Sequence, residues 1–171
     1  AVVEDAAHCN PSKIGDKWIG NTDNLVAYSF YATKNVTTGE GGMLTGAAEL
    51  IDVAKRLALH GMSKGAWARF SKGGNWEYDV PAPGFKYNMS DVLASIGLVQ
   101  LARLPEMFER RMAIVNHYEE SFKNSKYFTT LKVKAGVLSS RHLYQIFLDL
   151  EKLTIDRNQF IVEMHERNIG C

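Results

Sequence analysis

The sequence predicts an α/β fold, and three observations carry the prediction. Short apolar runs of strand length, such as "LVAYSFY" (25–31), alternate with longer stretches whose apolar residues recur at helical spacing. Polar, glycine-rich turns separate the two kinds of segment, "TTGEGG" (37–42) above all. The composition, 46% hydrophobic and 23% charged, is that of an ordinary globular protein with a core to bury. A chain of 171 residues holds one sizeable core, or one domain and part of another.

Taken in order, Val2 and Val3 running into Glu4 and Asp5 read as the last part of a buried strand. Residues 9–23, polar and spotted with Gly15 and Gly20, form a loop or a short hairpin. "LVAYSFY" is the second strand, and "GEGGMLT" gives a turn and a short strand through Met43 and Leu44. From Ala47 to His60, Leu50, Ile51, Ala54, Leu57 and Ala58 mark an amphipathic helix. Residues 61–84, with five glycines, two prolines and two tryptophans, keep no period. A loop of that length is uncommon without a function. Ser90 reads as an N-cap for a helix striped by Val92, Leu93, Ile96, Val99 and Leu101. Pro105 is expected to interrupt it, and a second helix runs from Glu106 to about Lys123. Then come a strand near Leu131, a clearer strand "HLYQIFLDL" (142–150), and a helix from Asp156 to about Arg167. Asp156 followed by Gln159 resembles a capping box.

Charge and cysteine content exclude several classes of function. Twenty basic and 19 acidic residues leave a net charge of +1, with no footprint for nucleic acid and no polybasic membrane patch. No apolar run approaches the roughly 18 residues of a spanning helix, and no signal-peptide pattern opens the chain. Cys9 and Cys171 are the only cysteines. They make no metal spacing and point to a reducing compartment, with the cytoplasm as default. The five histidines lack partners at ligand spacing, so no metal site is expected.

Three clusters hold the chemistry: "EDAAH" (4–8), "SFYATKN" (29–35) and "GFKYNMSD" (84–91). Lys34 stands alone between an apolar run and a glycine-rich turn. A lysine at the end of a buried strand has a nucleophilic amine when burial depresses its pKa, whereas one on an exposed loop needs no explanation. "TTGEGG" lacks the Gly-Lys-Ser/Thr ending of a phosphate loop, and Glu40 within it reads as structural.

Together with "LHGM", "KYNMSDVLASIGLVQL", "RHLYQIFLDL" and "HERNIG", these clusters resemble the DegT/DnrJ/EryC1/StrS sugar-nucleotide aminotransferases, which depend on pyridoxal 5'-phosphate (PLP). The matching segments fall in the family's order over nearly the whole chain. The resemblance implies a fold-type-I PLP-dependent transferase, like aspartate aminotransferase, with a mostly parallel sheet in its large domain. Residues 1–112 would be the later part of that domain, and 113–171 the linking helix and the start of a small α/β C-terminal domain.

The resemblance also assigns roles. Lys34 matches the lysine that forms a Schiff base with PLP and then moves protons between cofactor and substrate. Asp5 matches the carboxylate that pairs with the pyridine nitrogen and keeps the ring an electron sink. Ser29 matches a hydroxyl that bonds the cofactor phosphate. His8 stands where the family places His or Gln near the ring; contact with the cofactor and service to a local loop both remain open. Asn88 matches a residue that reaches the phosphate of the neighbouring subunit's cofactor, which implies a homodimer with shared active sites. Trp67, Arg69, Trp76 and Tyr78 border the sugar-nucleotide pocket or anchor a surface loop. The implied reaction moves an amino group from an amino acid, glutamate by analogy, to a nucleotide-linked keto-sugar, in polysaccharide or antibiotic-sugar pathways.

Two alternatives stand beside this reading. Some relatives are PLP-dependent sugar dehydratases in which histidine replaces the lysine, and the presence of Lys34 favours transamination. The other is a truncated, non-catalytic or dimerisation element. "AVVEDAAH" begins inside an apolar strand and "HERNIGC" stops just after a helix, so an internal fragment, or a product shortened at both ends, is expected. "CNPSKIGD" departs from the family's glycine and small residue after the histidine, altering a loop but none of the assigned groups.

Overall fold

The computed structural model describes residues 2–63 and 78–171. Strand β1 (Val3–Asp5) runs parallel to β4 (Leu25–Ser29), and β5 (Gly42–Thr45) pairs antiparallel on the other side of β4. The order β1-β4-β5 puts Val26 at the centre, with no exposed surface at all. Ala6, Phe30 and Val36 are buried with it.

The expected burial of the first strand is corrected. Val2 lies outside the paired residues and is exposed. Within β1, an edge strand among the described residues, the two-residue alternation turns Val3 outward and Glu4 to the covered side. There Glu4 Oε1 accepts from Thr22 Oγ1 at 3.0 Å and Asn24 Nδ2 at 2.7 Å. A paired carboxylate thus occupies the position the apolar pattern assigns to valine.

The polar stretch after β1 is a hairpin of β2 (Lys13–Ile14) and β3 (Lys17–Trp18). A strand the sequence pattern misses, β7 (Val137–Leu138), pairs with β2 and so ties the late chain to the early one. β6 (Phe128–Thr130) pairs antiparallel with β8 (Ile146–Leu148). The predicted strand 142–150 is therefore shorter than its apolar pattern, since β6 offers only three partners.

Helix α1 (Ala48–Ala58) follows β5 as expected. Helix α2 (Asp91–Phe122) corrects the two-helix reading, because it continues through Pro105 for 32 residues. A proline inside a helix removes one hydrogen bond, at about 3 kcal/mol, but the turns on either side keep theirs. Ser90 caps α2, its Oγ accepting from Leu93 N at 3.4 Å. Asp156 likewise caps α3 (Arg157–Glu166), accepting from Gln159 N at 2.8 Å.

Between α1 and α2 the chain ends of the long loop meet. Leu59 and Lys86 form a bridge, and a Cβ on Gly61 would fall 1.8 Å from the Ala82 carbonyl oxygen. Trp67, Arg69 and Trp76 lie outside the described residues; Tyr78 is 41% exposed. Helix α2 crosses the turn after β4, where Gly97 approaches the buried Thr38. At its far end Glu119 accepts from Thr130 Oγ1 at 3.2 Å and pairs with Arg141 at 3.8 Å.

Candidate active site

The site lies where β1 and β4 end. Asp5 closes β1 and pairs in register with Ala27, two residues before Ser29 closes β4. Carboxyl ends of neighbouring parallel strands are where open α/β sheets present ligand-binding groups. Beyond Ser29 the chain is anchored twice, at Phe30 (5% exposed) and Val36 (2% exposed). The Thr38 amide donates to the Phe30 carbonyl at 2.9 Å and closes the loop between these anchors. Lys34 sits within it, its amide donating to the Tyr31 carbonyl at 2.9 Å. Its side chain is half-buried in a turn rather than at the end of a buried strand.

From there Lys34 Nζ reaches Nε2 of His8 at 2.6 Å. Ser29, whose Oγ accepts from the Tyr31 amide at 3.3 Å, lines the same shallow pocket. The fold thus brings Lys34, His8 and Ser29 together. Asp5 is exposed beside them at the end of β1, and its Oδ1 accepts from the Ala7 amide at 2.9 Å. Asn88 stands apart: it is exposed just before α2, accepts from Lys86 Nζ at 2.5 Å and donates to the Met89 carbonyl at 3.4 Å.

The sequence reading gave no role to two further residues of this pocket, Asn35 and His142. His142 lies with its ring centroid 4.3 Å from that of His8, tilted by 41°, and its Nδ1 is 3.2 Å from Asn35 Oδ1. Burial lowers its pKa below the usual imidazole value, and repulsion from the neighbouring basic groups of His8, Lys34 and Arg111 adds to the effect. "RHLYQIFLDL" was its signal, but a strand reading of that run gives no histidine a special place. Behind the pocket, Ser140, 3% exposed, donates from its Oγ to the His8 carbonyl.

A more spacious groove, about 850 Å³, lies elsewhere. It is lined mainly by apolar side chains, including Phe122, Phe128, Phe160 and Met164, and holds no cluster of reactive groups.

The model of the DegT/DnrJ/EryC1/StrS aminotransferase family matches residues 1–171. Spore coat polysaccharide biosynthesis protein SpsC of Bacillus subtilis (strain 168) is 43% identical over 171 residues, 99% of this chain and 44% of SpsC. Spr1654 of Streptococcus pneumoniae, a proposed sugar aminotransferase solved in PLP and PMP forms, is similar in structure. Its PLP form is 36% identical with a TM-score of 0.83, covering 98% of this chain and 42% of that one. Its PMP form is 37% identical with a TM-score of 0.84. PseC of Helicobacter pylori, an aminotransferase involved in pseudoaminic acid biosynthesis, is 28% identical with a TM-score of 0.82 over 96% of this chain and 42% of PseC. The chain spans 44% of the length of the curated relatives it matches. Its mixed sheet, with one parallel and one antiparallel pair around β4, takes the fold-type-I architecture expected from the sequence. On the match along its whole length, the chain belongs to the DegT/DnrJ/EryC1/StrS aminotransferase family.

Proposed function

We propose that this chain carries the lysine-bearing wall of a PLP-dependent aminotransferase site. The reaction moves an amino group from an amino acid, glutamate in this reading, to a nucleotide-linked keto-sugar. One observation carries it: Lys34 Nζ stands 2.6 Å from His8 beside Ser29, at the carboxyl ends of β1 and β4. An amine, an imidazole, a hydroxyl and a nearby carboxylate suit a phosphorylated pyridine aldehyde in kind. When bound, that cofactor supplies an electron sink at the substrate carbon. Support for sugar chemistry comes from the relatives, one of them named for polysaccharide and another for pseudoaminic acid biosynthesis.

The chain's own residues divide the work. Lys34 is the covalent attachment point and, once released, the group that carries a proton. His8 Nε2 stands at 2.6 Å from the lysine amine, within hydrogen-bond distance. It is the acceptor of that pair whenever the amine is an ammonium, which has no lone pair to accept with. Asp5 places a negative charge at the pyridine nitrogen, and Ser29 donates to the phosphate. Asn88, which lies outside the pocket of its own subunit, reaches the phosphate of a partner copy in a homodimer. Residues 1–112 belong to the large domain and 113–171 to the start of the small one, and the working compartment is the cytoplasm. No helix among the described residues is long and apolar enough to cross a membrane.

The test is direct. Purified chain is mixed with PLP, treated with borohydride and mapped by peptide mass. A fixed adduct on Lys34, absent from Lys34→Ala, is the expected result; an undiminished adduct in that variant rejects the assignment.

A further inference from the structure

Asn35 fixes the position of a proton on a neighbouring ring. Its Nδ2 donates to two backbone carbonyls, of Asn10 at 3.0 Å and of Ser140 at 3.1 Å. A carbonyl only accepts, so the orientation of the amide is set, and Oδ1 is the atom that faces Nδ1 of His142. An oxygen in that position needs a hydrogen on the ring nitrogen. His142 therefore carries its hydrogen on Nδ1, and the neutral ring keeps Nε2 as an acceptor.

The segment bearing His142 is held against the lysine pocket at several points. Ser140 donates from its hydroxyl to the His8 carbonyl and from its amide to Ser12 Oγ at 3.1 Å. Val137 and Leu138 pair with Ile14 and Lys13. His142 arrives with its ring on His8, the residue whose Nε2 meets Lys34. His8 is exposed, so the His142 ring on one side and the Lys34 amine at Nε2 are the contacts that restrain the rotation of its ring.

We infer that Asn35 and His142 are positioning residues for Lys34: Asn35 sets the tautomer of His142, and the His142 ring holds His8 with Nε2 turned to the lysine amine. The consequence for the reaction rests on the proposed role of Lys34, whereas the geometry of the pair does not.

Two measurements separate these parts. In the full chain, labelled with 15N-histidine and free of cofactor, long-range proton–nitrogen spectra at neutral-imidazole pH read the tautomers. His142 is expected with its hydrogen on Nδ1, and His142→Ala is expected to shift the ring signals of His8. The second measurement is the rate at which a borohydride-fixable PLP adduct forms on Lys34. It should fall about tenfold in His142→Ala, as for a misplaced reactive group, and recover in part in His142→Phe, which restores a ring. A hydrogen on Nε2 of His142, unmoved His8 signals, or an unchanged adduct rate would each overturn the inference. The tautomer is read in the unsubstituted chain, so a variant that does not fold leaves that arm in force. If the unsubstituted chain takes no PLP on Lys34, the functional reading fails, and the spectra still decide the pair.

Discussion

The hydroxyl of Ser140 donates to the backbone carbonyl of His8, 132 residues earlier in the chain. Ser140 is only 3% exposed, so water does not readily replace it. Removing one partner of a covered hydrogen bond leaves the other unsatisfied, at about 1–3 kcal/mol. Ser140→Ala should lower the unfolding free energy by that amount in urea titrations. A loss below about 0.5 kcal/mol, the range of ordinary surface changes, would show that this bond does not hold the late segment to the pocket.

Gly97 tests the packing beneath the same loop. A Cβ there would lie 3.1 Å from Cγ2 of Thr38, which is 2% exposed and pinned by its Oγ1 donating to the Glu40 carbonyl at 2.6 Å. Gly97→Val should cost about 1–3 kcal/mol through overpacking. In Gly97→Ala, the helix propensity gained, about 1 kcal/mol, opposes the clash. Thr38→Ser removes the obstructing methyl and keeps the hydroxyl. Gly97→Ala should therefore be more favourable in the Thr38→Ser background than alone, and strict additivity in thermal melts would deny the contact.

The elements that local chemistry dictates were legible in the sequence, and those that depend on distant partners were not. Ser90 and Asp156 cap their helices as their residue types require. β4 was legible because Val26 sits in an apolar run of strand length. Val3 was misread because apolar character says nothing of which face an edge strand buries, and Glu4 finds two donors 18 and 20 residues away. Pro105 was misread because a breaker signal is local, while a long helix keeps its bonds on both sides. In the site, Lys34, His8 and Ser29 came from short motifs that resemble a family, and they do share a pocket. Asn35 and His142 meet across 107 residues, a distance no spacing rule spans.

The exposed position of Asn88 leads to a test in mixed subunits. If Asn88 serves the partner's site, a dimer of Lys34→Ala and Asn88→Ala full-length subunits contains one site with both residues intact. Random mixing of two inactive variants should then restore about a quarter of the sites, as two-fold symmetry requires. The measurement is transaminase activity before and after the subunits exchange. No recovery, with exchange verified by mass, would count against a shared site.

His142 should couple the fold to pH. Its pKa is lowered by burial first and then by His8, Lys34 and Arg111, so the folded chain resists a proton that the unfolded chain accepts. Where the unfolded state binds more protons, stability rises with pH. The contribution is therefore complete above the unfolded imidazole value, near pH 6.5, and is lost as pH falls through the lower folded value. Because the ring is only half-buried, solvent screens the charges around it, and the slope stays well below that of one fully displaced proton, about 1.4 kcal/mol per pH unit. Urea unfolding of the unsubstituted chain and of His142→Gln, compared from neutral pH downward, reads the difference. The glutamine chain should lose less stability on acidification, because it has no imidazole to protonate between Asn35 and His8. Equal slopes would mean that His142 takes up its proton as readily in the folded chain as in the unfolded one, and that the charges around it exert no net pressure on its ring.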